Sequence, residues 1–196
     1  MGVLLNVSSS KTEHRKRLIA LMAQIKVESS PQGWQHVATI GVGGLHAVGF
    51  SRLGPYLLVV SSAGRGVIHC ITGEKVERDY EGGAGLDASG LHCQGLGVIA
   101  DEVVSLAGLY GGGLPWTNSA GESLELISPE WPESRLILAG PFKSPYEVGH
   151  QAGCAVIYSG YVTAFGFSWC GNYIAAACSS DVDIWRRASP LEACLE

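Results

Sequence analysis

The side chains with chemistry to offer are thinly spread. His and Cys crowd only at His92-Cys93 and across His150 to Cys154. A thiolate nucleophile or a metal centre needs several such groups to converge. Neither pair has a partner at motif spacing, so both read as structural. His92, Cys93 and His150 carry only an alternative reading, a small hydrolase-like site in the irregular middle of the chain. Asp101-Glu102 and Asp181-Val182-Asp183 are the acidic pairs. General acid–base work needs two carboxylates converging on one pocket. Neighbours in a strand point to opposite faces, and Asp181 falls at a hairpin tip, where Asp suits turn geometry. The residue types therefore assign no catalytic residue, no metal site and no cofactor.

The least ordinary stretch is Gly108-Leu109-Tyr110-Gly111-Gly112-Gly113-Leu114-Pro115-Trp116. A Gly-rich loop that cradles phosphate usually opens a helix and carries a Lys or Ser/Thr in place. Both are missing here. A hairpin loop with locally packed aromatics is the plainer reading. The functional one is a loop that binds a ligand or partner, with Tyr110 and Trp116 as anchors on a backbone freed by Gly112, since exposed Tyr and Trp favour recognition.

These residues sit in a chain of 196, enough for one domain with an appendage. Hydrophobic residues make up 46% and charged residues 16%, which argues against disorder. The 27 glycines scattered among short apolar runs imply many tight turns, hence many short strands. The net charge of −5 lacks the surplus of Lys and Arg that a sequence-blind nucleic-acid binder needs. No stretch approaches the roughly 20 apolar residues of a membrane span. No secretory pattern opens the chain, which points to the cytoplasm and to six reduced thiols.

Three regions follow. Residues 1–30 hold an amphipathic helix and a linker. The helix is expected to start at a capping box, Ser10-Lys11-Thr12-Glu13, and to carry the apolar stripe Leu18, Leu21, Met22 and Ile25. Residues 31–188 form the β body, with strands expected over 56–61, 102–109, 124–127, 136–139 and 173–178. Residues 189–196 are a tail. The stripe must be covered, either by its own domain or by a second copy in a homodimer.

The body contains an internal repeat. Residues 43–68 align without a gap on 160–185, an offset of 117. Phe50-Ser51 matches Phe167-Ser168, Gly54 matches Gly171, and Tyr56 matches Tyr173. Each copy should form the same three-stranded meander, with these aromatics as packing residues.

The segments "VGFSRLGPYLLVVSS" and "FGFSWCGNYIAAACSSDVDIWRR" resemble the WD repeat. Ile184-Trp185 stands where that repeat places its Trp, and Ile68–Glu74 is similar to its strand and Thr-Gly turn. The resemblance implies units of about 40–45 residues, each a four-stranded propeller blade, so that the offset spans about three units. The fold it implies is all-β, a small propeller of about four degenerate blades with one N-terminal helix. The function it implies is that of a non-catalytic module with a protein partner. Leu53, Cys170 and Arg186 replace the residues of the family's polar network. Residues 81–153 fit the repeat poorly.

Overall fold

The computed structural model describes residues 3–191, with side chains from residue 11 onward. Most of the expected tail, and Cys194 with it, lies outside the described residues. The chain opens with α1 (Val3–Met22) and β1 (Lys26–Val27). Five strands follow: β2 (Trp34–Gly41), β3 (Leu45–Phe50), β4 (Tyr56–Ser61), β5 (Gly64–His69) and β6 (Lys75–Asp79). The middle holds four short strands, β7 (His92–Gln94), β8 (Val103–Ser105), β9 (Ala107–Gly108) and β10 (Gly111–Gly112). The rest is β11 (Ser123–Glu130), β12 (Glu133–Ala139), β13 (Cys154–Ser159), β14 (Ala164–Phe167), β15 (Tyr173–Ala177) and β16 (Asp181–Arg187). Among the described residues the chain is thus mostly β with one α-helix, and no sheet closes on itself. No helix among the described residues is long and apolar enough to cross a membrane.

The chain divides into two units, one of residues 1–29 and 121–161, the other of 30–120 and 162–196. The division passes between residues 29 and 30 and again at 120/121 and 161/162. Residues 121–161 have a core of their own with the helix, which local sequence pattern does not reveal.

In the first unit the sheet runs β1-β13-β12-β11, with β1 parallel to β13 and the other pairs antiparallel. Leu21, Met22 and Ile25 bury against Ile127, Ile137 and Val156 of this sheet. The helical stripe is thereby covered within its own chain. The capping box is not the helix start, because α1 begins at Val3. Val3–Ser9 contains no Gly or Pro to stop a helix, so the signature at Ser10 lies inside one.

The second unit holds three sheets: the six-stranded β10-β9-β3-β4-β5-β6, the four-stranded β14-β15-β16-β2, and the pair β7-β8. The two repeat copies do adopt one meander. Strands begin at 56 and 173 and again at 64 and 181, each pair separated by the sequence offset. The registers match as well: Phe50 pairs with Leu57 as Phe167 pairs with Ile174, and Leu57 with Ile68 as Ile174 with Trp185. At the first turn Ser51 N–H donates to Tyr56 O at 2.9 Å, and Ser168 N–H to Tyr173 O at 2.9 Å. Phe50 and Phe167 are buried, and Tyr56 and Tyr173 are half-buried beside them.

The six-stranded sheet is packed on both faces. Val48, Phe50, Leu57, Val59 and Ile68 face one core, and Ala47, Leu58, Val60 and Val67 the other. This explains the unbroken run Leu57–Val60, since a strand covered on both sides needs no alternation. In the other large sheet β2 pairs antiparallel with β16 along its length, joining the first strand of this unit to the last. A polar cluster spans that pairing. Asp183 accepts from His36 Nε2 at 2.8 Å and from Thr39 Oγ1, while the His36 ring meets Trp185 edge-on at 5.2 Å. The cluster ties β2 to β16 through side chains as well as main chain.

Candidate interaction site

The structure places Tyr110 and Trp116 on one short segment, each braced in a different way. Gly108 and Gly111 pair across a two-residue loop, Leu109-Tyr110, at the tip of the β9–β10 hairpin. Leu109 N–H donates to His46 O at 2.9 Å, tying the tip to β3. The Tyr110 ring sits edge-on to His46 at 6.3 Å, and it lies so close over Gly90 that a Cβ there would come within 2.7 Å of it. Gly112 has φ of 76°, and a Cβ at that position would collide with Leu106 O. Only glycine meets both demands without strain. Its part is therefore conformational: it turns the chain away from the hairpin.

After this turn Leu114 buries into the core, and Pro115 O accepts Phe167 N–H at 2.7 Å. The segment so covers the free edge of β14. Trp116 stacks on Phe165 with centroids 5.4 Å apart and planes 14° from parallel. Both aromatics are held, yet Tyr110 remains 58% and Trp116 59% exposed, with Leu109 beside them at 58%. Local packing fixes their orientation without hiding them.

The His and Cys residues do not converge. Cys93 is fully buried while His92 points outward to Asp87, as neighbours on β7 must. Burial pushes the Cys93 thiol up, against the weaker opposing pull of Arg65, so the thiol form is favoured over the reactive thiolate. His150 belongs to the other unit, where its Nδ1 accepts Ser144 N–H at 3.2 Å. Burial likewise raises the Cys154 and Cys70 thiols. Among the described residues no three His, Cys, Asp or Glu side chains gather as a metal site. The acidic pairs are structural. Glu102 accepts from Ser51 Oγ and from Arg52 N–H at 2.7 Å, capping the first repeat's turn. Asp181 accepts from Cys178 Sγ at 3.2 Å and Ser180 Oγ at 2.6 Å at its hairpin tip.

One expectation about the thiols is corrected. Cys70, Cys93, Cys154 and Cys178 are free and buried, but Cys170 is disulfide-bonded. Compartment alone carries no information on which sulfurs lie side by side.

Sequence reasoning missed further exposed side chains in the first unit. Phe142 is 90% exposed and holds a left-handed φ of 57°. Its loop is organised by buried Gln151, whose Nε2 donates to Pro145 O at 3.2 Å and Glu147 O at 2.6 Å while its Oε1 accepts from Gly149 N–H at 2.9 Å. Val148 stands exposed on the same loop. Pattern could not have found them, because a loop apolar residue looks alike whether it packs inward or stands out.

Comparison with protein-family models, characterised proteins and solved structures returns no match.

Proposed function

We propose that this chain is a non-catalytic binding module that engages a protein partner through Leu109, Tyr110 and Trp116, on a scaffold of small WD-repeat-like propeller character. The observation that carries the proposal is the combination of bracing and exposure at Tyr110 and Trp116. Each ring is oriented by a neighbouring ring, and the segment is tied down by main-chain bonds on both sides. A rigid, amphipathic ring loses little conformational freedom on docking, which is why Tyr and Trp dominate binding energy at interfaces.

The propeller character is supported by the repeated meander and by the pairing of β2 with β16. In a ring of blades, such a pairing of the first strand with the last would join its two ends. The six-stranded sheet exceeds the four strands of a blade, so the scaffold is a departure from the regular form. A cytoplasmic setting belongs to the same proposal.

The test is chemical cross-linking of the purified, tagged chain in cell extract with quantitative mass spectrometry, run beside the double variant Tyr110→Ala/Trp116→Ala. At least one partner should be recovered and fall by about tenfold or more in the variant, the size expected when an anchoring aromatic is lost, while the melting temperature holds. An identical set of captured proteins would end the reading. Hydrolysis of a panel of activated esters and phosphoesters tests the alternative. Turnover abolished by Cys93→Ala or His150→Ala would establish a hydrolase instead.

A further inference from the structure

A cavity of about 450 Å³ opens in the second unit between the β2–β3 turn and the outer strands of the six-stranded sheet. Its origin is local and legible. Across the sheet, Val59 pairs with Gly66 and Gly66 with Arg78, so the middle position of that row has no side chain. Val42, Val59 and Ile68 supply apolar wall. On the facing turn, a Cβ at Gly41 or Gly43 would meet no atom within 4 Å, so the space is open there too.

The charged residues of the lining are Lys75, Arg78 and Glu77. β6 reads Lys75-Val76-Glu77-Arg78-Asp79, which would mix signs on a regular strand. Arg78 faces the cavity, and its Nη2 donates to Ala63 O at 2.9 Å. Glu77 lines the cavity too, but its carboxyl and that of Asp79 are held elsewhere. The Glu77 carboxyl lies against Gly97, where a Cβ would collide with it, and Asp79 pairs with Arg65 Nε at 3.2 Å. Strict alternation would send Lys75 with them. A bulge, where the register slips between Val67 and Ile68, re-aims it. Lys75 Nζ instead donates to Gly41 O at 3.0 Å across the cavity rim. The guanidinium of Arg78 also lies 5.0 Å from the Tyr80 ring, which is itself exposed.

Each cation spends one N–H on a rim carbonyl. The remaining N–H groups of Lys75 and Arg78 are left to a guest, and both positive charges favour an anion. We propose that this cavity is a binding site for a small amphipathic carboxylate, with its apolar chain on Val42, Val59 and Ile68 and its carboxylate between Lys75 and Arg78. The site is independent of the aromatic segment and of any partner it binds. A volume of this size suits a ligand of medium chain length.

The test uses octanoate and its neutral counterpart octanol, with the full chain labelled for methyl and amide NMR. Octanoate should give saturable shifts centred on Val42, Val59 and Ile68, with a dissociation constant at or below about 1 mM. Octanol should bind at least about tenfold more weakly, the loss expected when a charge-assisted hydrogen bond is removed. This comparison needs no variant. Lys75→Met/Arg78→Met should erase the preference for octanoate. Gly43→Val, which adds bulk where space is open, should weaken both ligands with little change in melting temperature. Absence of saturation at several millimolar octanoate, equal binding of octanol by the unaltered chain, or binding untouched by Gly43→Val in a folded protein would each overturn the proposal.

Discussion

The guanidinium of Arg52 lies 4.0 Å above the ring of Trp169, and these two residues occupy the same position in the two copies of the internal repeat. Each follows the Ser of its copy's first turn. The indole Nε1–H donates to Phe50 O at 3.0 Å, so Trp169 is bonded to the first copy as well as stacked under its arginine. The two turns therefore recognise each other through residues that differ, while the strands behind them match.

That pairing should be measurable. Trp169→Ala and Arg52→Ala, alone and together, form a double-mutant cycle under urea. The coupling energy should be about 0.5–1 kcal/mol, as for a partly exposed cation over an aromatic face. A coupling indistinguishable from zero would show that the stack forms without contributing.

The matched strands set a larger expectation. Phe167 is fully buried and packs near Trp34, with ring centroids 5.8 Å apart. Phe167→Ala should cost about 3–5 kcal/mol, and Phe50→Ala a similar amount from its equivalent place. Half-buried Tyr173→Ala should cost less than either. Urea midpoints decide the order, and an unchanged midpoint for Phe167→Ala would contradict the packing described.

Much of this arrangement was legible in sequence, for identifiable reasons. The strands at 56–61 and 173–178 announce themselves as apolar runs between turn residues, and the repeat locates their partners. The aromatics of 108–116 stood out because Tyr and Trp in a Gly-rich loop suit recognition. What escaped was long-range. Nothing near Ile127 or Val156 says that the helix of the first unit packs there. Nothing near His36 says that Asp183 will face it. The cavity was invisible for a similar reason: it depends on a missing side chain at Gly66 and a one-residue slip beside it, neither of which has a signature in a single segment.

The loop before β7 carries its own pH response. Asp87 accepts from Ser89 Oγ at 2.7 Å, from Leu91 and His92 N–H at 3.1 and 3.2 Å, and pairs with His92 Nδ1 at 3.3 Å. The Ser89 bond leads these effects, which together hold the carboxyl down at about 2. Because the folded value lies below the ordinary one near 4, the support Asp87 gives the loop is complete above that ordinary value. It is lost as pH falls through about 2. The Leu91 and His92 amide resonances should titrate there, and a midpoint near 4 would show the carboxyl to be unengaged.

Thiol chemistry offers a direct check on Cys170. One disulfide consumes two of the six cysteines, so no more than four should react in denaturant without reductant. In the native state the buried Cys70, Cys93, Cys154 and Cys178 should react slowly, since burial hides all four and pushes at least the first three up. Six prompt thiols in denaturant would refute the bridge.

The pairing of β2 with β16 has a consequence for how the protein is made. On the ribosome, β16 follows β2 by roughly 150 residues, an interval of about 8–30 s at ordinary elongation rates. Throughout that time the edge of β2 that β16 will occupy stands open. A nascent strand with unpaired amides recruits other strands, so this is the stage most open to mispairing. A messenger truncated before residue 181 would leave that edge open for good.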